Sequence, residues 1–316
     1  MRAVVISEGR LDWLERPDPV PASHEICVAV RAAGLNGADL LQRRGRYRAP
    51  AGSPQEIPGL EMAGEVVALG AEVSRFGLGD RVMALLGGGA QAELAVIDER
   101  HAMRAPESIT WSEAGAFPET FCTAHDALFA QCGLSAQERV LITGAAGGVG
   151  TAAVQLASLR GAKVIAAVRD AEHRVQVGEL GADEVIDPAE IDRHGPYDVV
   201  LELVGAASLP AALGQLAKLG RVAVIGVGSG ARVELDLSRL MVSRGRIGGS
   251  TLRSRTLLEK AEVIERIADE VLPYLTDGRL RVPIWSTFGF DDAQAAYDCF
   301  DAGGKLGKVV LIDEPS

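Results

Sequence analysis

A chain of 316 residues, 47% hydrophobic and 24% charged, carries enough apolar material for about two folded domains without disulfide or metal staples. Its formal net charge of −11 argues against nucleic-acid backbones and anionic membranes as default partners. Four cysteines, Cys27, Cys122, Cys132 and Cys299, show neither metal-type spacing nor a disulfide pattern, so reduced thiols and a cytoplasmic location are expected. The opening Met1-Arg2-Ala3-Val4-Val5-Ile6-Ser7-Glu8 turns polar too soon for a signal peptide, and no apolar run reaches bilayer length.

Residues 1 to about 115 read as short strands separated by Gly and Pro, among them 25–30, 64–69 and 80–85, which predicts a compact, partly open barrel. From about residue 121 strands and helices alternate. Strand candidates lie at 140–143, 163–168, 184–186, 198–203, 221–225 and 246–249, and helices near 148–160, 171–180, 207–217 and 256–275. Repeated strand–helix units predict an α/β fold with a doubly wound parallel sheet covered by helices. The tail from about 280 turns strand-rich, ends in Lys308-Val309-Val310-Leu311-Ile312, and is expected to return to the first domain. The expected division is therefore 1–120, 121–252 and 253–316.

The stretch Gly144-Ala145-Ala146-Gly147-Gly148-Val149-Gly150 joins the strand candidate at 140–143 to the helix that follows. A glycine turn at that point lets the backbone approach a pyrophosphate, while the helix offers unpaired N–H groups and a favourable dipole. Such a turn can also be a packing device; the strand and helix on its flanks favour dinucleotide binding. Gly144, Ala145, Gly147, Gly148, Val149 and Gly150 are the expected cofactor contacts, with Gly226, just after the strand at 221–225, in the same set. The second strand of such a fold ends beside the adenine ribose, where an acid favours NAD and an arginine favours NADP. Here it ends in Val168-Arg169-Asp170, with Arg174 one turn further on. Arginine binds phosphate through paired charge-assisted hydrogen bonds, so Arg169 and Arg174 point to NADPH. Asp170 speaks for NADH, and solvated surface charge is the other account of both arginines.

Several segments in order resemble the medium-chain dehydrogenase/reductase superfamily: Gly34-Leu35-Asn36-Gly37-Ala38-Asp39, Pro58-Gly59-Leu60-Glu61-Met62-Ala63-Gly64-Glu65-Val66, Gly77-Leu78-Gly79-Asp80-Arg81-Val82, and the glycine turn. The resemblance implies a GroES-like β-barrel catalytic domain, a Rossmann domain and an active site in the cleft between them. Zinc-dependent relatives carry a cysteine where this chain has Asn36 and a His-Glu pair where it has Leu60-Glu61. Leucine cannot ligate zinc, and no Cys₄ lobe is present. The segment from Asn36 to Tyr47, with Ser250-Thr251-Leu252-Arg253-Ser254-Arg255, is similar to the zinc-independent, zeta-crystallin-like quinone oxidoreductases. By that resemblance Asn36, Tyr47 and Thr123 line the nicotinamide and substrate site, and Lys308 lies near the cofactor phosphates.

Without a metal, donors aimed at a developing oxyanion carry the catalysis, and Tyr47 and Asn36 are the expected catalytic pair, through a phenol and an amide. A loop-anchoring tyrosine and a turn-capping asparagine are the plainer accounts of the same residues. The expected function is NADPH-dependent, zinc-independent quinone reduction. The alternative is an enone or enoyl-thioester reductase, and an RNA-binding role finds little support in an acidic chain with 4% aromatic residues. The last strand of the Rossmann run, 246–249, is expected at a sheet edge, where pairing with its copy would build a homodimer.

Overall fold

The computed structural model describes residues 1–313. The chain divides into two compact units, one formed by Met1–Cys122 together with the chain from Leu252 onward, the other by Thr123–Thr251.

Unit 1 begins with an antiparallel hairpin of β1 (Arg2–Ser7) and β2 (Arg10–Glu15). A seven-stranded sheet follows, to which the first part of the chain contributes β3 (Glu25–Gly34), β4 (Glu61–Leu69), β5 (Arg81–Leu85), β6 (Leu94–Asp98) and β7 (Ala102–Arg104). The ten-residue β3 pairs antiparallel with both β4 and β6, and its alternating Ile26, Val28 and Val30 are buried against Val66 and Val82. Three helices complete this part: α1 (Gly37–Arg43), α2 (Trp111–Ala116) and α3 (Pro118–His125), the last of which runs on into unit 2.

Unit 2 holds six parallel strands, β8 (Arg139–Ile142), β9 (Lys163–Ala167), β10 (Glu184–Ile186), β11 (Tyr197–Glu202), β12 (Leu216–Val224) and β13 (Arg246–Gly249). Their order, β10-β9-β8-β11-β12-β13, is the doubly wound Rossmann arrangement, whose direction of winding switches between β8 and β11. Val140, Leu141 and Ile142 are all buried, as a parallel strand covered on both faces requires. The helices are α4 (Gly148–Leu159), α5 (Arg174–Glu179), α6 (Leu209–Gly214) and α7 (Leu237–Ser243). β13 lies at the sheet edge. The helix expected over 207–217 contracts to α6, because the backbone is already strand at Leu216, where it pairs with Tyr197.

The returning segment supplies α8 (Leu257–Glu270), α9 (Leu272–Thr276), β14 (Ile284–Gly289), α10 (Ala293–Ala302) and β15 (Lys308–Ile312). One continuous helix over 256–275 was the expectation. It breaks at Val271 because Pro273 has no N–H to donate and its ring crowds the preceding turn. The tail is also less purely strand than its composition indicates: α10 buries Ala293, Ala296 and Tyr297 in the unit 1 core beside Val309 and Leu311. β15 pairs antiparallel with β3 and parallel with β14. That pairing sets the first residue of β15, Lys308, beside the end of β3.

Candidate active site

In unit 1 four segments far apart in sequence converge on one polar cluster. Asn36 follows β3 and precedes α1, Glu61 opens β4, Glu119 lies in the first turn of α3, and Lys308 opens β15. Space for it comes from glycine. A Cβ on Gly34 would lie 2.4 Å from Glu61 Oε1, and one on Gly115 would lie 2.7 Å from the Ala32 Cβ. Small residues thus let α2 lie against β3 while leaving the Glu61 carboxylate its place.

The Lys308 ammonium donates to Glu61 Oε1 at 2.6 Å, Asn36 Oδ1 at 2.7 Å and the Leu35 carbonyl at 2.6 Å. Asn36 Nδ2 donates to the same Glu61 oxygen at 2.9 Å and to the Gly34 carbonyl at 3.3 Å. Glu61 Oε2 accepts from the Glu119 backbone N–H at 2.9 Å. Both members of the Lys308–Glu61 pair are buried, and such a pair is tolerable only because nearly every lone pair and proton finds a partner. Asp39, fully buried, accepts from the Asn36 and Gly59 N–H groups at 2.8 and 3.0 Å. Burial nevertheless pushes its carboxyl up to about 6. The Glu119 carboxyl rises further, to about 8, through desolvation first and the neighbouring Glu61 charge second. Beside the cluster, Arg253 is locked by its bonds to the Gly87 carbonyl (2.8 Å), the Tyr47 carbonyl (3.2 Å) and Gln42 Oε1. Its guanidinium lies over the Tyr47 ring, 4.9 Å from the centroid.

In unit 2 the glycine turn joins β8 to α4 and is closely packed. Gly144 adopts φ +59°, a left-handed conformation that glycine takes without penalty. A Cβ on Gly150 would lie 2.4 Å from the Gly144 carbonyl oxygen, so only glycine lets α4 begin this close to the turn. Gly147 caps α4 with no side-chain bond, and the first-turn N–H groups of Gly148, Val149 and Gly150 have no intrahelical acceptor by helix geometry. The neighbouring strand end is clamped by Glu202, whose Oε1 accepts from Thr143 Oγ1, Val204 N, Gly205 N and Ser208 Oγ at 2.7–2.8 Å. A Cβ on Gly226 would lie 2.1 Å from the Leu203 carbonyl oxygen, which explains glycine there through strand-end packing. Thr123 is buried on α3.

Arg169 is 75% exposed, and among the described residues its guanidinium reaches its neighbour Asp170, at 3.4 Å. Arg174 is committed: it donates to the Val168 carbonyl at 3.1 Å and to Asp187 at 2.6 Å. Of the two arginines expected at a 2′-phosphate, Arg169 alone keeps an exposed, loosely held guanidinium. Lys308, expected near the cofactor phosphates, sits instead among buried acceptors of unit 1 with all three protons engaged, because β15 pairs with β3. Asn36, expected to present its amide to a substrate, has both amide hydrogens and its oxygen committed to Gly34, Glu61 and Lys308. Tyr47 stands in the loop after α1, partly exposed. Sequence reasoning passed over Asp39, Glu119 and Arg253. Both Asp39 and Glu119 stand in the first turn of a helix, where an acid is ordinary, so no local pattern marks them out.

Among the described residues no group of three or more His, Cys, Asp or Glu side chains is arranged to hold a metal ion. The side chains where zinc-dependent relatives carry ligands do not fit zinc: Leu60 is apolar and buried, Asn36 is fully bonded, and Glu61 already holds an ammonium.

A doubly wound sheet with a glycine turn at its first strand-to-helix connection defines a dinucleotide-binding protein. The zinc-binding dehydrogenase family matches residues 148–269, and the alcohol dehydrogenase GroES-like domain matches residues 22–107. A quinone oxidoreductase of Lama guanicoe is 32% identical over 329 aligned positions, covering 99% of this chain and 97% of that protein. The crystal structure of a Pseudomonas syringae quinone oxidoreductase superposes with TM-score 0.87 at 29% identity, over 99% of this chain and all of the other. A mycobacterial protein solved in complex with NADPH gives TM-score 0.88 at 26% identity, over the same shares. The chain belongs to the medium-chain dehydrogenase/reductase superfamily, on its quinone oxidoreductase branch, and is an oxidoreductase of that superfamily.

Proposed function

We propose that the chain reduces quinones with NADPH and does so without zinc. The observation that carries this reading is the Lys308–Glu61–Asn36 cluster: an internal ammonium satisfies the acidic group at the position where alcohol-oxidising relatives keep metal ligands. Names of relatives support the substrate class, and the exposed Arg169 at the end of β9 supports the cofactor.

A bound nicotinamide supplies the reducing electrons. The turn from Gly144 to Gly150 and the N-terminus of α4 hold its pyrophosphate through backbone N–H groups, with Thr123 toward the nicotinamide. Arg169 holds the 2′-phosphate. Tyr47 directs its phenol at the substrate oxygen, and Arg253, stacked on its ring and bonded to its carbonyl, keeps the loop in place. Asn36 and Lys308 act as positioning residues, holding Glu61 and the start of α1. Self-association through the exposed edge of β13 fits the apolar residues nearby on α7, where Met241 is 77% and Val242 83% exposed. No helix of the described residues is long and apolar enough to cross a membrane; a cytoplasmic protein acting on small molecules is the reading proposed for this acidic chain.

The test is NADPH consumption against an ortho-quinone, with NADH in parallel and a chelator present. Turnover that prefers NADPH and ignores the chelator is the expected result. Tight NADPH binding without quinone turnover, together with saturation of an enone or enoyl thioester, would replace the proposal with the reductase of that substrate class.

A further inference from the structure

Two cations of unit 1 are buried without a counter-charge. Lys260, the fourth residue of α8, is 6% exposed. It stands on the buried stripe of that helix, in step with Val263, Ile264 and Ile267, where an apolar side chain is the rule. Its place near the helix N-terminus adds to the cost, because the dipole there disfavours a cation. Among the described residues the ammonium has no hydrogen-bond or ion-pair partner. The fully enclosed side-chain atoms that lack a partner are Arg81 Nε, Gln91 Nε2, Arg139 Nε and Glu202 Oε2. Lys260 Nζ is not one of them, so the partnerless ammonium keeps an opening through which a ligand atom can reach it.

Arg253, 4% exposed, is the second. Its bonds to the Gly87 carbonyl, the Tyr47 carbonyl and Gln42 Oε1 engage three of its five N–H donors and bring no negative charge. The carboxyls that act on it are Asp39 and Glu119, and among the described residues neither forms an ion pair with it. Asp39 is occupied by two backbone N–H groups. The charges that act on Lys260 are Glu119 and Arg253 itself, and desolvation holds its ammonium below the ordinary lysine range. Glu119 keeps its proton to about pH 8, so at neutral pH it neutralises neither cation. The nearby His101, whose Nε2 lies 2.9 Å from the Leu257 carbonyl, offers no negative charge either. A buried charge without compensation is strongly destabilising, and here two of like sign share one unit.

We propose that Lys260 and Arg253 form an anion-binding subsite of unit 1 that takes a carboxylate carried by the substrate. Three ammonium protons and the two remaining guanidinium N–H groups meet the lone pairs of one carboxylate, which then supplies the charge that the fold leaves out. The subsite adjoins the residue proposed to face the substrate oxygen, since Arg253 is stacked 4.9 Å from the centroid of the Tyr47 ring. The substrate class is therefore a quinone that bears a carboxylate apart from its reducible carbonyls; that assignment rests on the proposed function, whereas the anion site rests on the two cations alone.

The experiment compares the full chain with Lys260→Met and Lys260→Arg, first by thermal unfolding without cofactor or quinone. At constant ionic strength benzoate should raise the wild-type Tm saturably. Lys260→Met, relieved of a buried charge, should melt about 2–4 °C above wild type in the absence of benzoate and show no response to it. Lys260→Arg, which keeps the charge, should still respond. In steady state the wild type should favour a carboxylated ortho-quinone over its neutral parent by about 10–10²-fold in kcat/KM, the scale of a hydrogen bond to a charged group, and Lys260→Met should lose that preference. A Met variant less stable than wild type would show the ammonium to be satisfied within the fold and overturn the subsite. A Tm response to inorganic phosphate and none to benzoate overturns the carboxylate. Absence of wild-type turnover with both quinones overturns the functional reading; a benzoate response that persists then leaves the anion site standing and removes only its assignment to a quinone.

Discussion

The glycine turn of unit 2 and the polar cluster of unit 1 present opposite solutions to building a site. The turn works through backbone: Gly144 in a left-handed conformation, Gly150 where any Cβ would strike a carbonyl oxygen, and a helix N-terminus free of side-chain caps. The cluster works through the side chains of residues 36, 61 and 308 and the backbone N–H of Glu119, packed until almost every polar atom is used. The turn tolerates changes around it provided no Cβ intrudes. The cluster has no such slack, because losing the side chain of Asn36, Glu61 or Lys308 leaves a charge or a donor buried without a partner.

The sharpest way to break this contrast is Lys308→Met. It strands the Glu61 carboxylate, buried and unpaired, and should destabilise the fold by about 3–5 kcal/mol, read from urea unfolding. Pairing it with Glu61→Gln should recover part of the loss; a single variant as stable as wild type would show the ammonium to be dispensable. In unit 2, Arg169→Ala should weaken NADPH binding by about 1.5–3 kcal/mol while leaving NADH affinity and thermal stability unchanged, since Arg169 makes only a long contact to Asp170. Equal losses for the two cofactors in a fluorescence titration would remove Arg169 from phosphate recognition. Gly150→Ala inserts a methyl against the Gly144 carbonyl and should cost about 1–3 kcal/mol of stability, with cofactor binding lost alongside. Unimpaired NADPH binding by that variant would mean that the turn does not hold the pyrophosphate.

A further effect is one of pH. Glu119 carries a raised value, so between its ordinary 4.5 and about 8 the folded chain holds a proton that the unfolded chain releases. Its stabilising contribution is complete below 4.5 and declines as pH rises to about 8. Asp39 acts with the same sign between 3.8 and about 6. Glu119→Gln should therefore flatten the fall in stability across the upper window, measured by denaturation at fixed pH values. An unchanged slope would mean that the carboxyl is hydrated and ordinary.

How much was legible follows from the same contrast. The Rossmann strands and the glycine turn were readable because each depends on local pattern: apolar runs, glycine spacing and strand–helix rhythm. The break of the 256–275 helix at Pro273 was readable in principle, since proline carries its own stop signal, whereas α10 was hidden in a tail whose strands set the tone. Lys308 shows where pattern fails. The family resemblance implies a place for Gly307-Lys308 near the cofactor phosphates, yet the pairing of β15 with β3 sets Lys308 beside Asn36 and Glu61.

By itself the amino-acid sequence determined the strand–helix rhythm of unit 2, the glycine turn between β8 and α4, and which superfamily the chain resembles. Only the tertiary structure decided which carboxyls are paired and which is left to carry a proton, which arginine is committed and which remains exposed, and that Asn36 is spent on holding its neighbours. The reason is physical. Backbone conformation is governed largely by residues close in sequence, whereas desolvation and charge pairing depend on whatever side chains the fold brings within a few ångströms, however distant along the chain.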